Sequence, residues 1–165
     1  MTRIETRPLE LLRISVRSEW LDYNDHMNAG CYAIAYNLAM EQFWQRMALG
    51  ENHAKTGRGS PFVLECHLTY QKELSEGDPL LITLQLLDYD NRKAHVFLRM
   101  FQVEQDILTS TYEQITIYVD LETRRPTAMP EAAFEKLEHL YSTHRELPSP
   151  PEAGSSIGMH RDKSP

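Results

Sequence analysis

With 165 residues, 17 basic against 24 acidic side chains and a formal charge of -7, the chain has room for one domain with a sizeable core and not for two. That balance argues against a nucleic-acid binder working through phosphate contacts, although a small anionic ligand in a local basic pocket stays open. No apolar run reaches membrane-span length and the start MTRIETRPLE has no secretory h-region, so a soluble cytoplasmic protein with no membrane partner is expected.

Residues 11–16 alternate Arg13 and Ser15 against Ile14 and Val16 and read as a first strand. Asp22, Asn24, Asp25, His26 and Asn28 then fall within seven residues, all types that hold turns or cap helices. From Tyr32 to Leu49 the side chains follow a helical period with little polar circumference. A helix over about 28–49, buried on most sides and stopped by Gly50, is expected. Asn37, Glu41 and Gln45 form a narrow polar line along it. The cluster before the helix reads either as a long cap and loop, or as an active-site loop that sets an acid and an imidazole beside free backbone N–H donors.

After a Gly-rich connection carrying Lys55 and Arg58, residues 62–70 alternate Phe62, Leu64, Cys66, Leu68 and Tyr70 against Val63, Glu65, His67 and Thr69. Strands follow over 80–88, over 93–103 with His95, Phe97, Arg99 and Phe101 on one side, and over 107–119. One strand, a buried helix and four further strands in meander order describe an α+β domain in which one curved antiparallel sheet wraps around one long central helix. The exposed sheet edges favour a homodimer or homotetramer. Residues 1–126 are expected to form this domain, with a capped, amphipathic helix within an extension over 127–147, and a tail from 148 too poor in apolar surface to order itself. His139, His144 and His160 read as surface residues, and Cys31 and Cys66 as buried reduced thiols. The seven histidines show no metal-ligand spacing, and dinucleotide, phosphate-loop and nucleophile-elbow motifs are absent.

WLDYNDHMNAGCY ahead of a long helix, FVLECHLTYQKELSEGDPL, the hairpin around DYDNRKAHVF and TYEQITIYVDLETRRP together resemble the acyl-CoA thioesterases of the hotdog fold, in the 4-hydroxybenzoyl-CoA thioesterase-like branch. The similarity spans roughly residues 10–126. Within that branch it is greatest to the betainyl-CoA thioesterases associated with carnitine breakdown. The resemblance implies a hydrolase acting on an acyl-CoA and needing no cofactor beyond the CoA of its substrate. It places the catalytic carboxylate at Asp22, His26 and Asn28 at the polar positions of the D-x-x-x-H-M-N motif, and Tyr32 at its aromatic position. Ala29 departs from the pattern where relatives continue with a second asparagine. Some hotdog thioesterases use a helix glutamate instead, which makes Glu41 the alternative catalytic residue.

Thioester cleavage requires a carboxylate to attack the carbonyl or activate a water, and donors for the developing oxyanion. Backbone N–H groups around Asn28 to Cys31 are the expected donors. Lys55, Arg58, Arg92, Lys93, Arg124 and Arg125 are the candidates to meet CoA phosphates. A betaine acyl group carries a trimethylammonium cation, for which Trp20, Tyr23, Tyr36, Trp44 and Tyr70 are the available rings and Glu65 or Glu41 the countercharge. His67 and His95 complete the expected substrate-binding set. A neutral short or aromatic acyl group, and a non-enzymatic hotdog protein that binds a thioester or a protein partner, are the other readings.

Overall fold

The computed structural model describes residues 7–159, so His160 lies outside the described residues. β1 (Leu9–Ser15) leads through a 3-10 turn (Ser18–Trp20) into α1 (Ala29–Arg46), and a short α2 (Glu51–Ala54) precedes four strands. These are β2 (Gly59–Tyr70), β3 (Pro79–Tyr89), β4 (Lys93–Gln102) and β5 (Ile107–Asp120), after which α3 (Glu131–His144) closes the regular structure. They form a five-stranded antiparallel sheet in the order β1-β3-β4-β5-β2, with β1 and β2 at its edges. The expected α+β class stands, with strand ends displaced by a few residues, but the expected four-strand meander holds only for β3-β4-β5, because β2 crosses to pair with β5 and β1 takes the place beside β3.

The core lies between α1 and the sheet. Tyr36, Ala39 and Phe43 of α1 are fully buried with Leu84, Val96, Leu98 and Met100 of the sheet, and Tyr36 stacks on Tyr112 of β5 with ring centroids 4.9 Å apart. Burying side chains the size of Phe43, Leu84, Val96, Leu98 and Met100 contributes about 1.5–3 kcal/mol each. α3 packs through Ala133 and Leu137, which are buried, while Phe134 and Tyr141 both approach the Tyr89 ring of β3.

Several expectations are corrected here. Within the single chain α1 buries one face only, leaving Ala33, Ile34, Asn37, Glu41 and Gln45 exposed, because the five strands reach around just part of its circumference. The helix ends at Arg46, with Ala48 in the left-handed region at φ 61. Gly50 instead starts α2, pressed so closely on Gln45 that a Cβ there would collide with it. α3 follows Pro130 at its N-cap position, which supplies no side-chain cap. His144 is buried, and its Nδ1 accepts the Leu86 N–H at 2.9 Å. That bond satisfies an amide of β3 beside a strand irregularity between Leu86 and Asp88. Cys66, on the edge strand β2, is exposed, and Cys31, in the first turn of α1, is half-buried.

The strict alternation read into β2 also fails. A bulge lies between Val63 and Glu65: Val63 pairs with Thr116 and Glu65 with Ile115, so Leu64 is the extra residue. Phe62 and Val63 thereby exchange faces relative to Cys66 and Tyr70. The chain after Leu147 runs along the sheet, where the Gln85 amide donates to the Pro148 carbonyl and Arg99 lies 3.7 Å from Glu152.

Candidate active site

The loop between the 3-10 turn and α1 folds on its own backbone. Leu21 and Met27 form an isolated antiparallel bridge. Asp22 N–H donates to the His26 carbonyl at 2.9 Å, and Asp25 N–H to the Asp22 carbonyl at 3.1 Å. Asp25 sits at φ 59, a conformation that a short polar side chain tolerates better than most. The Asp22 carboxylate accepts the Asn24 N–H through Oδ1 at 2.8 Å, which fixes its direction. Two further bonds dock the loop: Asn28 N–H to the Trp20 carbonyl and Met27 N–H to the Leu74 carbonyl, both 2.8 Å. Trp20 and Met27 are buried beneath it. His26 lies 3.8 Å from Glu73 with both side chains largely exposed, a pairing that contributes little to stability.

Asn28 is the N-cap of α1, its Oδ1 accepting the Gly30 N–H at 2.9 Å, and its carbonyl accepts the Cys31 N–H at 2.8 Å. Of the amides at 28–31 expected as donors, three are therefore engaged. The Ala29 N–H is left without an acceptor among the described residues, at the positive end of the helix. Tyr70 of β2 donates its hydroxyl to the Ala29 carbonyl at 3.0 Å, and Tyr32 donates to the Lys72 carbonyl at 3.3 Å. The two rings meet edge to face with centroids 5.2 Å apart. Burial, with Tyr70, Glu73 and Asp78 nearby, pushes the Tyr32 hydroxyl up to about 12, and burial raises that of Tyr70. Both therefore remain neutral donors at physiological pH. A carboxylate on a braced loop that leads into a helix start with an unengaged amide supplies the group types that acyl transfer needs.

The other residues expected at the site divide among three places. Trp20 and Tyr36 are core residues, with the Arg17 guanidinium 4.9 Å from the Trp20 ring centre, and Tyr23 is almost wholly exposed. None of these three rings lines either of the two clefts described below. Glu65 and His67 pair in register with Ile115 and Glu113, on the face opposite Tyr112 and hence opposite α1. There His95 Nε2 lies 2.7 Å from Glu113 Oε1, while Gly154 N–H donates to Glu113 Oε2 at 2.8 Å. Ser155 Oγ is 3.4 Å from His67 Nδ1. This cavity of about 590 Å³ is thus separated by the sheet from the face that α1 covers. Glu113 was not foreseen, although its place two residues from Ile115 on the outward face of β5 was available from alternation.

Glu41 and Trp44 line a different cleft of about 510 Å³ between α1, α2 and the start of β2, together with Gln45, Glu51, Ser60 and Pro61. The six basic residues gather at that end of the sheet. Lys55 follows α2 and pairs with Glu51 at 2.6 Å, and Arg58, just before β2, lies near enough to His53 to help burial depress its imidazole. Arg92 and Lys93 sit on the β3–β4 turn held by Asp90, and Arg124 and Arg125 follow β5. Pairing of Gly59 with Asp120 and of Lys93 with Ile117 brings these segments together. The Asp22 loop is at the other end of β2, beside Tyr70. Among the described residues no group of three or more His, Cys, Asp or Glu is placed to hold a metal ion, and no helix is long and apolar enough to cross a membrane.

This architecture recurs in known proteins. A hypothetical protein of Staphylococcus aureus solved in complex with CoA superimposes with a TM-score of 0.86 at 30% identity, over 93% of this chain and 97% of that one. A putative thioesterase of Pseudomonas putida shares the fold with a TM-score of 0.81 at 23% identity, over 94% and 99% of the two chains. In sequence, a betainyl-CoA thioesterase of Pseudomonas aeruginosa is 28% identical over 144 residues, 87% of this chain and 91% of that protein. An L-carnitine dehydrogenase/betainyl-CoA thioesterase of Rhizobium sp is 26% identical over 157 residues, 95% of this chain. The chain spans only 31% of that relative's length. Residues 16–137 match the family description "Thioesterase-like superfamily", and on that match, carried by the hotdog arrangement of sheet and central helix, the chain belongs to the thioesterase-like superfamily.

Proposed function

We propose that the protein hydrolyses acyl-CoA thioesters, with betainyl-CoA as the substrate and glycine betaine and free CoA as the products. The observation that carries the reading is the Asp22 loop, braced by its own backbone bonds and leading through the Asn28 cap into α1, where the Ala29 N–H has no acceptor among the described residues. Asp22 acts on the thioester carbonyl, either as nucleophile through an acyl anhydride or as the base that deprotonates the attacking water. The Ala29 N–H donates to the oxygen as it turns negative, and the thiolate of CoA leaves and takes up a proton. Asn28 holds the amide in place as cap, and His26 closes the loop through its carbonyl.

The choice of acyl group is supported by the two sequence relatives described above, a betainyl-CoA thioesterase and an L-carnitine dehydrogenase/betainyl-CoA thioesterase. The active form is a homodimer joined through β2. Its outer edge is free in the single chain, and Phe62, Val63 and Leu64 on it are exposed together with Ile34 of α1, a combination that in water favours association. The test is free-CoA release from a panel of acyl-CoAs that includes betainyl-CoA and 3,3-dimethylbutyryl-CoA, its uncharged isostere. The charged substrate is expected to be favoured in kcat/KM by at least about thirtyfold. Equal rates on the two reject the betaine assignment, and absence of turnover on the whole panel rejects the enzyme.

A further inference from the structure

We propose that Tyr118, hydrogen-bonded to His53, is a positioning residue for the phosphate end of the substrate: it fixes the separate segments whose unpaired basic side chains receive the phosphates of CoA. The proposal rests on the acyl-CoA reading and its homodimer, deepens that reading, and is independent of which acyl group is cleaved.

Charge pairing singles out this end of the sheet. Arg13, Arg17, Arg99 and Arg145 each have a carboxylate partner at 2.9 to 3.9 Å, and Lys55 is matched by Glu51. Arg58, Arg92, Lys93, Arg124 and Arg125 form no ion pair among the described residues, although the chain as a whole carries a formal charge of -7. Holding like charges together costs free energy in the unliganded protein, and a bound polyanion recovers it.

These side chains hang from stretches that are distant in sequence, and Tyr118 and its neighbours tie the stretches together. The Tyr118 hydroxyl lies 2.6 Å from His53 Nε2, which anchors α2 and the connection carrying Arg58. The Tyr118 N–H donates to the Arg92 carbonyl at 2.7 Å, and the Tyr118 carbonyl accepts the Thr127 N–H at 3.1 Å. Two residues on, the Asp120 N–H donates to the Arg125 carbonyl at 3.0 Å, and the Asp120 carbonyl accepts the Arg124 N–H at 2.9 Å. Arg124 is held there at φ 58, a conformation costly for a long side chain. Gly59 completes the arrangement, since a Cβ on it would collide with the hydroxyl end of the Tyr118 ring. β2 can start directly after Arg58 against that ring because residue 59 has no side chain.

Tyr118 is buried, so it acts through the basic side chains rather than by touching the ligand. Burial, with Arg58 nearby, holds the His53 imidazole below its ordinary value, and burial raises the Tyr118 hydroxyl. Both partners are therefore neutral near pH 7, and their bond adds no further charge to the basic cluster.

The experiment measures steady-state kinetics of the full-length protein on an acyl-CoA and on the same acyl group carried by pantetheine, which lacks the nucleotide and every phosphate. Betainyl or 3,3-dimethylbutyryl thioesters serve, whichever wild type turns over faster. Tyr118→Phe keeps the ring and removes the bond to His53. It is expected to raise KM for the acyl-CoA about fivefold, with kcat and the KM for the acyl-pantetheine within about twofold of wild type. His53→Gln, whose amide can meet the Tyr118 hydroxyl, is expected to keep the wild-type KM, whereas His53→Leu reproduces the effect of Tyr118→Phe. Arg58→Gln/Arg92→Gln changes two exposed positions and guards against misfolding of the Tyr118 variant. It is expected to raise KM for the acyl-CoA about tenfold and leave the acyl-pantetheine unaffected. An unchanged KM for the acyl-CoA in Tyr118→Phe or in the double variant overturns the proposal. Equal losses on the two thioesters also overturn it, because a merely structural tyrosine would give that result. Wild type inert on both thioesters sinks the functional reading and this proposal with it. Wild type active, with variant KM values indifferent to the phosphates, sinks this proposal alone.

Discussion

The Tyr70 hydroxyl donates to the Ala29 carbonyl at 3.0 Å, so the last residue of β2 holds the first residue of α1. The bond spans the sheet edge and the helix start, and the amide of that same Ala29 residue is the unengaged donor beside the Asp22 loop. Tyr70→Phe removes the bond and keeps the ring against Tyr32. Loss of about 1 kcal/mol of stability is expected, with kcat reduced about fivefold through misplacement of the first helical turn. Thermal melting and steady-state CoA release check it, and a kcat equal to wild type excludes a positioning role.

His144 gives the protein a pH-dependent component of stability. Burial holds its imidazole below the ordinary histidine value, opposed by a hydrogen bond to the Arg7 backbone. The unfolded chain therefore binds a proton at a pH where the folded chain does not. The stabilisation is complete above the ordinary histidine pKa of about 6.5 and is lost as pH falls below it towards the depressed folded value. Protonation of Nδ1 would also remove the acceptor of the Leu86 N–H. Urea unfolding between pH 7.5 and 5 is expected to show stability falling on acidification. His144→Gln is expected to flatten that dependence, with His53, whose pKa burial also depresses, contributing a remainder of the same sign. A slope equal in wild type and variant contradicts the assignment.

Helix and strand positions were legible because periodicity reports which face is buried. Asn28 as the start of α1 and the β3–β4 turn at Asp90 followed from local turn and cap chemistry. The bulge at Leu64 was not legible, since an inserted residue leaves composition unchanged while exchanging the faces of Phe62 and Val63. That exchange, together with the exposure of Ile34 and Glu41, is set by where β2 ends the sheet. His144 was misread for the same kind of reason: its neighbours in sequence are polar, and its burial comes from β3, some 58 residues away. Asp22 and Asn28 were read from their motif, and the structure sets both on the loop that leads into α1. Glu65, His67 and His95 were brought together as expected but on the outward face with Glu113, because a strand pattern identifies shared faces and not which face a helix covers.

Leu64 is 56% exposed at the bulge on the free edge of β2. Leu64→Lys places a charge where two copies are proposed to meet and is expected to shift the protein towards monomer at micromolar concentration. Sedimentation velocity reads this directly. A variant that sediments as wild-type dimer shows that association uses another surface.

The central claim is that Asp22 carries the chemistry. Free-CoA release by wild type, Asp22→Ala and Glu41→Ala, measured on both betainyl-CoA and 3,3-dimethylbutyryl-CoA, tests it most directly. Asp22→Ala is expected to lose at least about a hundredfold in kcat on both substrates, corresponding to roughly 3 kcal/mol of transition-state stabilisation, while remaining folded. Glu41→Ala is expected to retain turnover on both. Retention of turnover by Asp22→Ala, with Glu41→Ala inactive on both, would contradict the account.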